Sequence, residues 1–393
     1  MKKFAALLLA LLLAISPLGC SDTVQPGKVL YLNCLPEANE AWQKLAAAYS
    51  DAYGVEVTVR TVSAEDCVGA ISNALSWDEA PTAFQFHNAQ DLQALGGSCL
   101  DLTGSAVLSQ MITGSFNLTD GGAVKAICFS YDAYGLAVNK ALLETAGYSL
   151  ENITDFESLK AAAEDIHSRR WELGFDAFVA FDAEGSTGTD IARLYDSGRM
   201  SPERLRQVLD LYVNNSNQRA PRSAVDISLS QFAAGQAVFC LRSADSYDAL
   251  LAEPYQMDSD QLAMVPLFHN DTTADPSALC CSPRHYWAVN SRASAADRKA
   301  TLDFLGWVVS SEYGISVLQE LFGGVPFKAA SATENRFFGD ANALLADGLT
   351  PDIPGEIAHD RLPALADSIA EYALSPTEED WEAILALLYS EQT

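Results

Sequence analysis

VLYLNCLPEANEAWQKLAAAYSDAYGVEVTVR, residues 29–60, decides the fold. It opens on Val29 to Leu32, an apolar run of the kind a sheet buries on both faces. From about Glu37 to Tyr53 the apolar residues Trp42, Leu45, Ala46 and Tyr49 recur at helical spacing, and Gly54 stands where a helix ends. Val55, Val57 and Val59 then alternate with Glu56, Thr58 and Arg60, the period of a strand. Strand, helix and strand make a β-α-β unit, which favours a parallel sheet with helices on its faces.

The same grammar continues downstream. Ala83 to Phe86, Gly135 to Val138, Val238 to Leu241 and Tyr286 to Val289 read as further strands. Thr154-Asp155-Phe156-Glu157 reads as a capping box ahead of a helix carrying Phe156, Leu159, Ala163 and Ile166. Ser201-Pro202 opens another helix with Leu205, Val208, Leu209 and Tyr212 on one stripe. A helix is expected from about Ser294 to Ser310, and Ser375-Pro376-Thr377-Glu378 caps a last one.

Upstream of residue 29 the chain reads as an export leader. Lys2 and Lys3 precede an apolar run from Phe4 to Ile15, followed by Ser16-Pro17-Leu18-Gly19-Cys20. That run is too short for a bilayer span, which needs about 20 residues. Leu18-Gly19-Cys20 resembles a bacterial lipobox, which implies a signal peptide over residues 1–19 and lipidation of Cys20. Ser21 to Gly27 would be the tether.

With 393 residues, two lobes are expected rather than one core. The formal net charge of −28 argues against a nucleic-acid partner and against the body lying on anionic lipid. Beyond Cys20 come Cys34, Cys67, Cys99, Cys128, Cys240, Cys280 and Cys281, an odd number that cannot all pair internally. Their scatter suits mostly free, buried thiols rather than a disulfide scaffold. Cys280-Cys281 with His285 is the nearest approach to a metal cluster, but no second pair follows at zinc spacing, so no metal and no cofactor is expected.

Catalytic signatures are missing. The chain contains no G-x-S-x-G, H-E-x-x-H, phosphate-loop or dinucleotide-fingerprint motif. Its 52 acidic residues supply carboxylate pairs by chance alone, which gives a glycosidase no positive support. Polar and aromatic residues do gather where strands end, the place where open α/β sheets hold ligands. Glu37 follows the first strand, Phe86, His87 and Asn88 close the third, and Arg242 and Asp245 follow Val238 to Leu241. Asp132, Tyr134 and Trp287 complete the candidate ligand-binding set. Each has a structural alternative: Glu37 and Asn88 at helix N-termini, the aromatic residues in the core, Asp132 in an ion pair, and Arg242 paired with Asp245.

In order along the chain, these segments resemble family 1 extracellular solute-binding proteins of bacterial ABC importers, distant kin of maltose-binding protein. The resemblance is carried by Tyr31-Leu32-Asn33 with Pro36-Glu37-Ala38, Tyr49 before Gly54-Val55-Glu56-Val57, and Ala80-Pro81-Thr82. It continues through Tyr134-Gly135-Leu136, Val138-Asn139-Lys140, Gly235-Gln236-Ala237 and Tyr286-Trp287-Ala288-Val289-Asn290. Ala300 to Phe304, Trp307, Ser310 to Gly314 and Pro326-Phe327 close the series. It implies a type II periplasmic-binding fold: two α/β lobes joined by a hinge, with ligand in the cleft between them. Lobe one is expected over residues 28–130 plus 266–324, and lobe two over 131–265 plus 325–393. The implied role is non-enzymatic capture of a small solute, by family habit a carbohydrate, for a membrane permease, by a lipoprotein on the outer face of the cell membrane. Two departures bear on the ligand. Arg242-Ser243-Ala244-Asp245 replaces the usual Gly-Asp-Trp and its sugar-stacking ring, and Asp132 stands where Glu is usual. A surface glycosidase, or a sensor or adhesion protein on the same scaffold, is the alternative.

Overall fold

The structure, a computed structural model, describes residues 27–181, 191–192, 200–216, 227–268, 279–353 and 361–389. Cys20, the leader and most of the tether lie outside the described residues. The strands are β1 (Val29–Asn33), β2 (Val57–Thr61), β3 (Ala83–Phe86), β4 (Leu118–Asp120), β5 (Ala123–Asn139), β6 (Asp176–Phe178), β7 (Ala237–Ser243), β8 (Leu262–Val265) and β9 (Cys280–Val289). They form one sheet in the order β2-β1-β3-β9-β5-β7-β6, with β4 and β8 also paired to β5.

The opening stretch folds as its periodicity predicts. Pro36–Ala38 makes a 3-10 turn and α1 (Asn39–Tyr53) follows, burying Trp42, Leu45, Ala46 and Tyr49. Gly54 ends it at φ 68°, a left-handed conformation that costs glycine nothing, and donates its N–H to the Ser50 carbonyl. β1 pairs in parallel with β2 and β3.

The sheet as a whole is mixed rather than parallel. β9 runs antiparallel between β3 and β5, and β5 is antiparallel to β4, β7, β8 and β9. The expected strand at Gly135 to Val138 is only the end of a 17-residue strand that crosses the whole sheet. Its alternation is hidden because every residue from Ala126 to Asn139 is buried.

The remaining helices that matter here are α2 (Cys67–Ala74), α3 (Ala89–Leu95), α4 (Phe156–Ser168), α5 (Pro202–Asn214), α6 (Ile227–Ala233), α7 (Ser246–Leu251), α8 (Ala295–Ser310), α9 (Glu312–Phe322), α10 (Arg336–Ala346), α11 (Arg361–Leu374) and α12 (Glu378–Tyr389). The capping box before α4 is set one residue later than read: Asp155 is the N-cap, and Ser158 reciprocates. No helix of the described residues is long and apolar enough to cross a membrane.

Register along β5 and β9 breaks on either side of Ser130. Cys128 faces Tyr286, Ser130 faces His285, and Tyr131 already faces Pro283. Pro283 has no N–H to give a ladder, so it belongs at such an irregularity. Tyr131 instead donates its N–H to the Gly324 carbonyl at 3.0 Å. A Cβ on Gly324 would stand 2.1 Å from the Tyr131 oxygen, so only glycine permits this approach. Three chain segments thus meet at one waist: Cys128 to Tyr131, Pro283 to His285, and the segment at Gly324.

Candidate functional site

β1 and β3 run side by side and end together, so the residues after Asn33 and Phe86 share one sheet edge. The Asn33 side chain shapes the turn, donating to the Leu35 carbonyl at 2.7 Å and accepting from the Leu35 N–H at 3.1 Å. Glu37 is exposed in the turn that follows. At the end of β3 the Asp91 carboxylate accepts the His87 N–H at 2.7 Å, while Asn88 caps α3 by accepting the Asp91 N–H at 3.0 Å. Asn88 therefore fills the capping role weighed for it, at the rim of the same edge.

A disulfide crosses this edge. Cys34, directly after β1, is bonded to Cys67, the first residue of α2, with Cα atoms 5.7 Å apart. Free and buried, as composition suggested for most of the thiols, are Cys99, Cys128, Cys240, Cys280 and Cys281. Neither partner of the bridge carried a spacing signal in the sequence; the fold brings the end of β1 against the start of α2.

The waist supplies a charged group. Asp132 is 1% exposed, and its carboxylate is ion-paired to Arg284 while accepting the Tyr134 hydroxyl at 3.1 Å. The Arg284 side chain is half exposed, so its guanidinium faces open space with its charge balanced from below. Sequence reasoning missed Arg284; its only signal is its place beside Pro283 on a crossing strand. His285, next along β9, packs against His87 at 5.7 Å, Phe129 at 5.8 Å and Phe322 at 5.5 Å between ring centroids. Burial, then the nearby His87 and Arg284, lowers its pKa to about 4, which makes it a neutral imidazole at physiological pH.

The other expected residues are placed differently. Trp287 has no exposed surface: it stacks on Phe129 at 4.3 Å, meets Trp42 edge-on at 5.8 Å and donates its indole N–H to the Tyr31 hydroxyl at 3.1 Å. Phe86 is equally buried, edge-on to Phe84. Both lie in the core beneath the edge rather than on it. Arg242 is buried and donates to the Ser228 hydroxyl of α6, while Asp245 is exposed at the start of α7.

The structure thus brings Asp132, Tyr134 and Arg284 together at the waist, and His87, Asn88 and His285 beside the disulfide. Beside α7 and α9 opens a cavity of about 680 Å³, within the range of small-molecule sites. Its wall includes Asp248, Glu312, Ser316, Gln319, Glu320 and Glu334, a lining rich in hydrogen-bond acceptors. None of the nine expected ligand residues lines this cavity.

Comparison with known proteins bears on this geometry. Residues 44–344 match the family model described as bacterial extracellular solute-binding protein. No curated protein sequence matches the chain. Among solved structures, a family 1 extracellular solute-binding protein from Alicyclobacillus acidocaldarius superposes with a TM-score of 0.70 at 15% identity, covering 94% of this chain and 100% of that one. A family 1 protein from Bifidobacterium longum subsp. infantis gives 0.64 at 15% identity, covering 93% and 100%. The GacH receptor of Streptomyces glaucescens, solved unliganded and with acarbose, gives 0.54 at 17% identity, covering 94% and 100%. The family and these neighbours are binding proteins rather than enzymes, and the shared fold is the type II solute-binding fold of two α/β lobes. The chain belongs to the bacterial extracellular solute-binding protein family.

Proposed function

We propose that this protein captures a small solute, a carbohydrate or polyol, in the cleft between its lobes and delivers it to an ABC-type permease. The observation that carries the reading is the waist, where a half-exposed Arg284, balanced by buried Asp132, sits at the point where all three crossing segments meet. Ligand hydroxyls would accept from the guanidinium and donate to neighbouring carboxylates and amides, Glu37 and Asn88 among them. His87, Tyr134, Arg242 and Asp245 would position or border this ligand, and Phe86 and Trp287 would support it from the core. The neighbour solved with acarbose supports a sugar as the ligand class. The missing ring at Arg242 to Asp245 argues for a ligand smaller than an oligosaccharide.

We infer the lobe division from the same waist. The register shifts on either side of Ser130 support a first crossing at residues 130–131. Cys280 to Pro283 pair with Tyr134 to Tyr131, so the return crossing is best placed near Pro283 to His285 rather than at 265–266. Ligand bridging the lobes would bend these segments and shift the population toward a closed form that the permease reads. Cys20 would hold the body near that permease through a lipid. Replacing it with Ser should release the protein from the membrane; persistent membrane association would refute the anchor.

The binding claim is tested by thermal shift and isothermal titration against monosaccharides, short oligosaccharides and polyols, with X-ray scattering for closure. A true ligand at a hundred times its Kd stabilises the fold by about 2.7 kcal/mol. It should also contract the scattering profile, and Asp132→Asn should weaken it. Catalytic turnover of any sugar would favour the glycosidase instead. Absence of binding across the panel, or binding without contraction, would favour the sensor or adhesion reading.

A further inference from the structure

We propose that Cys34, Cys67 and His87 form a redox-gated site for a thiophilic metal ion of the zinc class, closed while the two cysteines are bridged and open once they are reduced. The two sulfurs and an imidazole nitrogen of His87 all lie within 4.8 Å of one another. Three separate elements deliver them: the end of β1, the first residue of α2 and the end of β3. Sequence spacing gave no hint of this cluster, and it is not the Cys280-Cys281 group that the sequence singles out.

A second observation points to a ligand. The Nε2 of His87 is buried and has no hydrogen-bond partner, and the same holds for Nδ1 of His285, whose ring packs against it. A buried nitrogen left without a partner has lost its hydration uncompensated, a cost that a coordinate bond would remove. Meanwhile the backbone of His87 is held by the Asp91 carboxylate, so the ring is presented from a fixed anchor. Zinc bonds to sulfur at about 2.3 Å and to imidazole nitrogen at about 2.0–2.1 Å, so tetrahedral ligand atoms stand roughly 3–4 Å apart. On reduction the two sulfurs, bonded to each other in the bridged form, would part to that separation, and the His87 nitrogen already lies within 4.8 Å of both.

The chemistry balances. A dithiol reductant passes two electrons and two protons to the Cys34–Cys67 bond, leaving two thiols and its own disulfide. A divalent ion then displaces both thiol protons and binds two thiolates and the neutral His87 ring. The two thiolate charges cancel that of the ion. The fourth position falls to water or to His285.

The test uses the exported chain, reduced with dithiothreitol, desalted without oxygen and titrated with cobalt(II) as the optical probe. One cobalt per chain should bind with a thiolate-to-metal charge-transfer band, and the oxidised chain should show none. Loss of even an outer-shell partner typically weakens a metal site 10–100-fold, so His87→Ala should cost at least about tenfold. Cys34→Ser should weaken the band, which separates this site from the other thiols. The proposal fails if reduced, folded protein gives no such band, if both redox forms bind alike, or if His87→Ala or Cys34→Ser binds as tightly as the parent. Should reduction unfold the chain, cobalt has to restore its native circular dichroism, and failure to do so also overturns the proposal. No sugar enters the experiment, so its failure leaves the solute-binding reading untouched.

Discussion

Asp132 shows how a single residue can carry two duties. Its carboxylate satisfies the Tyr134 hydroxyl inside the sheet and balances Arg284 at the surface. A glutamate in its place would push the charge a methylene further out. Asp340 on α10 shows the opposite economy. It accepts the Met264 N–H at 2.9 Å, but burial outweighs that bond and the charges of Arg336 and Lys140, and raises its pKa above 3.8. The folded chain therefore takes up this proton at a higher pH than the unfolded chain does. The stability linked to Asp340 grows as pH falls through the folded value toward 3.8, and is absent above that window. Asp340→Asn keeps an oxygen for Met264 and removes the titration. Urea unfolding should show a higher midpoint at neutral pH and a shallower pH dependence through that window. An unchanged slope would mean that other groups set it.

At the scale of elements, α3 offers a clean separation of stability from recognition. Asn88→Ala removes its N-cap and should cost about 1 kcal/mol by chemical denaturation, whereas Asn88→Ser should recover most of that. If Asn88 also touches the solute, affinity will fall in both variants. A loss confined to stability would make Asn88 a cap only. Elements of this kind were readable from sequence because their signals are local: the Trp42 to Tyr49 stripe, Gly54, and the Ser201-Pro202 start of α5, whose Ser201 does accept the Arg204 N–H. The site was less readable because its members come from distant strands. Arg284 meets Asp132 across 152 residues, and Cys34 meets Cys67 only because the fold brings the end of β1 to the first residue of α2. The aromatic residues misled for a related reason. Trp287 belongs to a motif that suits a cleft, yet β9 turns its ring inward onto Phe129 and Trp42.

The whole molecule carries a formal charge of −28, so like charges crowd the folded surface more than the unfolded chain. Raising ionic strength shortens the Debye length from about 30 Å at 0.01 M to about 8 Å at 0.15 M. The melting temperature should rise over that range. A fall would mean that exposed pairs such as Lys28–Glu79 and Lys299–Asp303 outweigh the general repulsion. β5 has a thermodynamic consequence of its own. From Ala126 to Asn139 it is buried without interruption, and on the lobe division proposed above its two ends belong to different lobes. Neither lobe can melt alone without stripping cover from a strand that the other lobe also needs. Heating should therefore produce a single calorimetric peak whose van't Hoff and calorimetric enthalpies agree. Two resolved peaks would mean that the strand parts at Ser130, and that the waist yields before the lobes do.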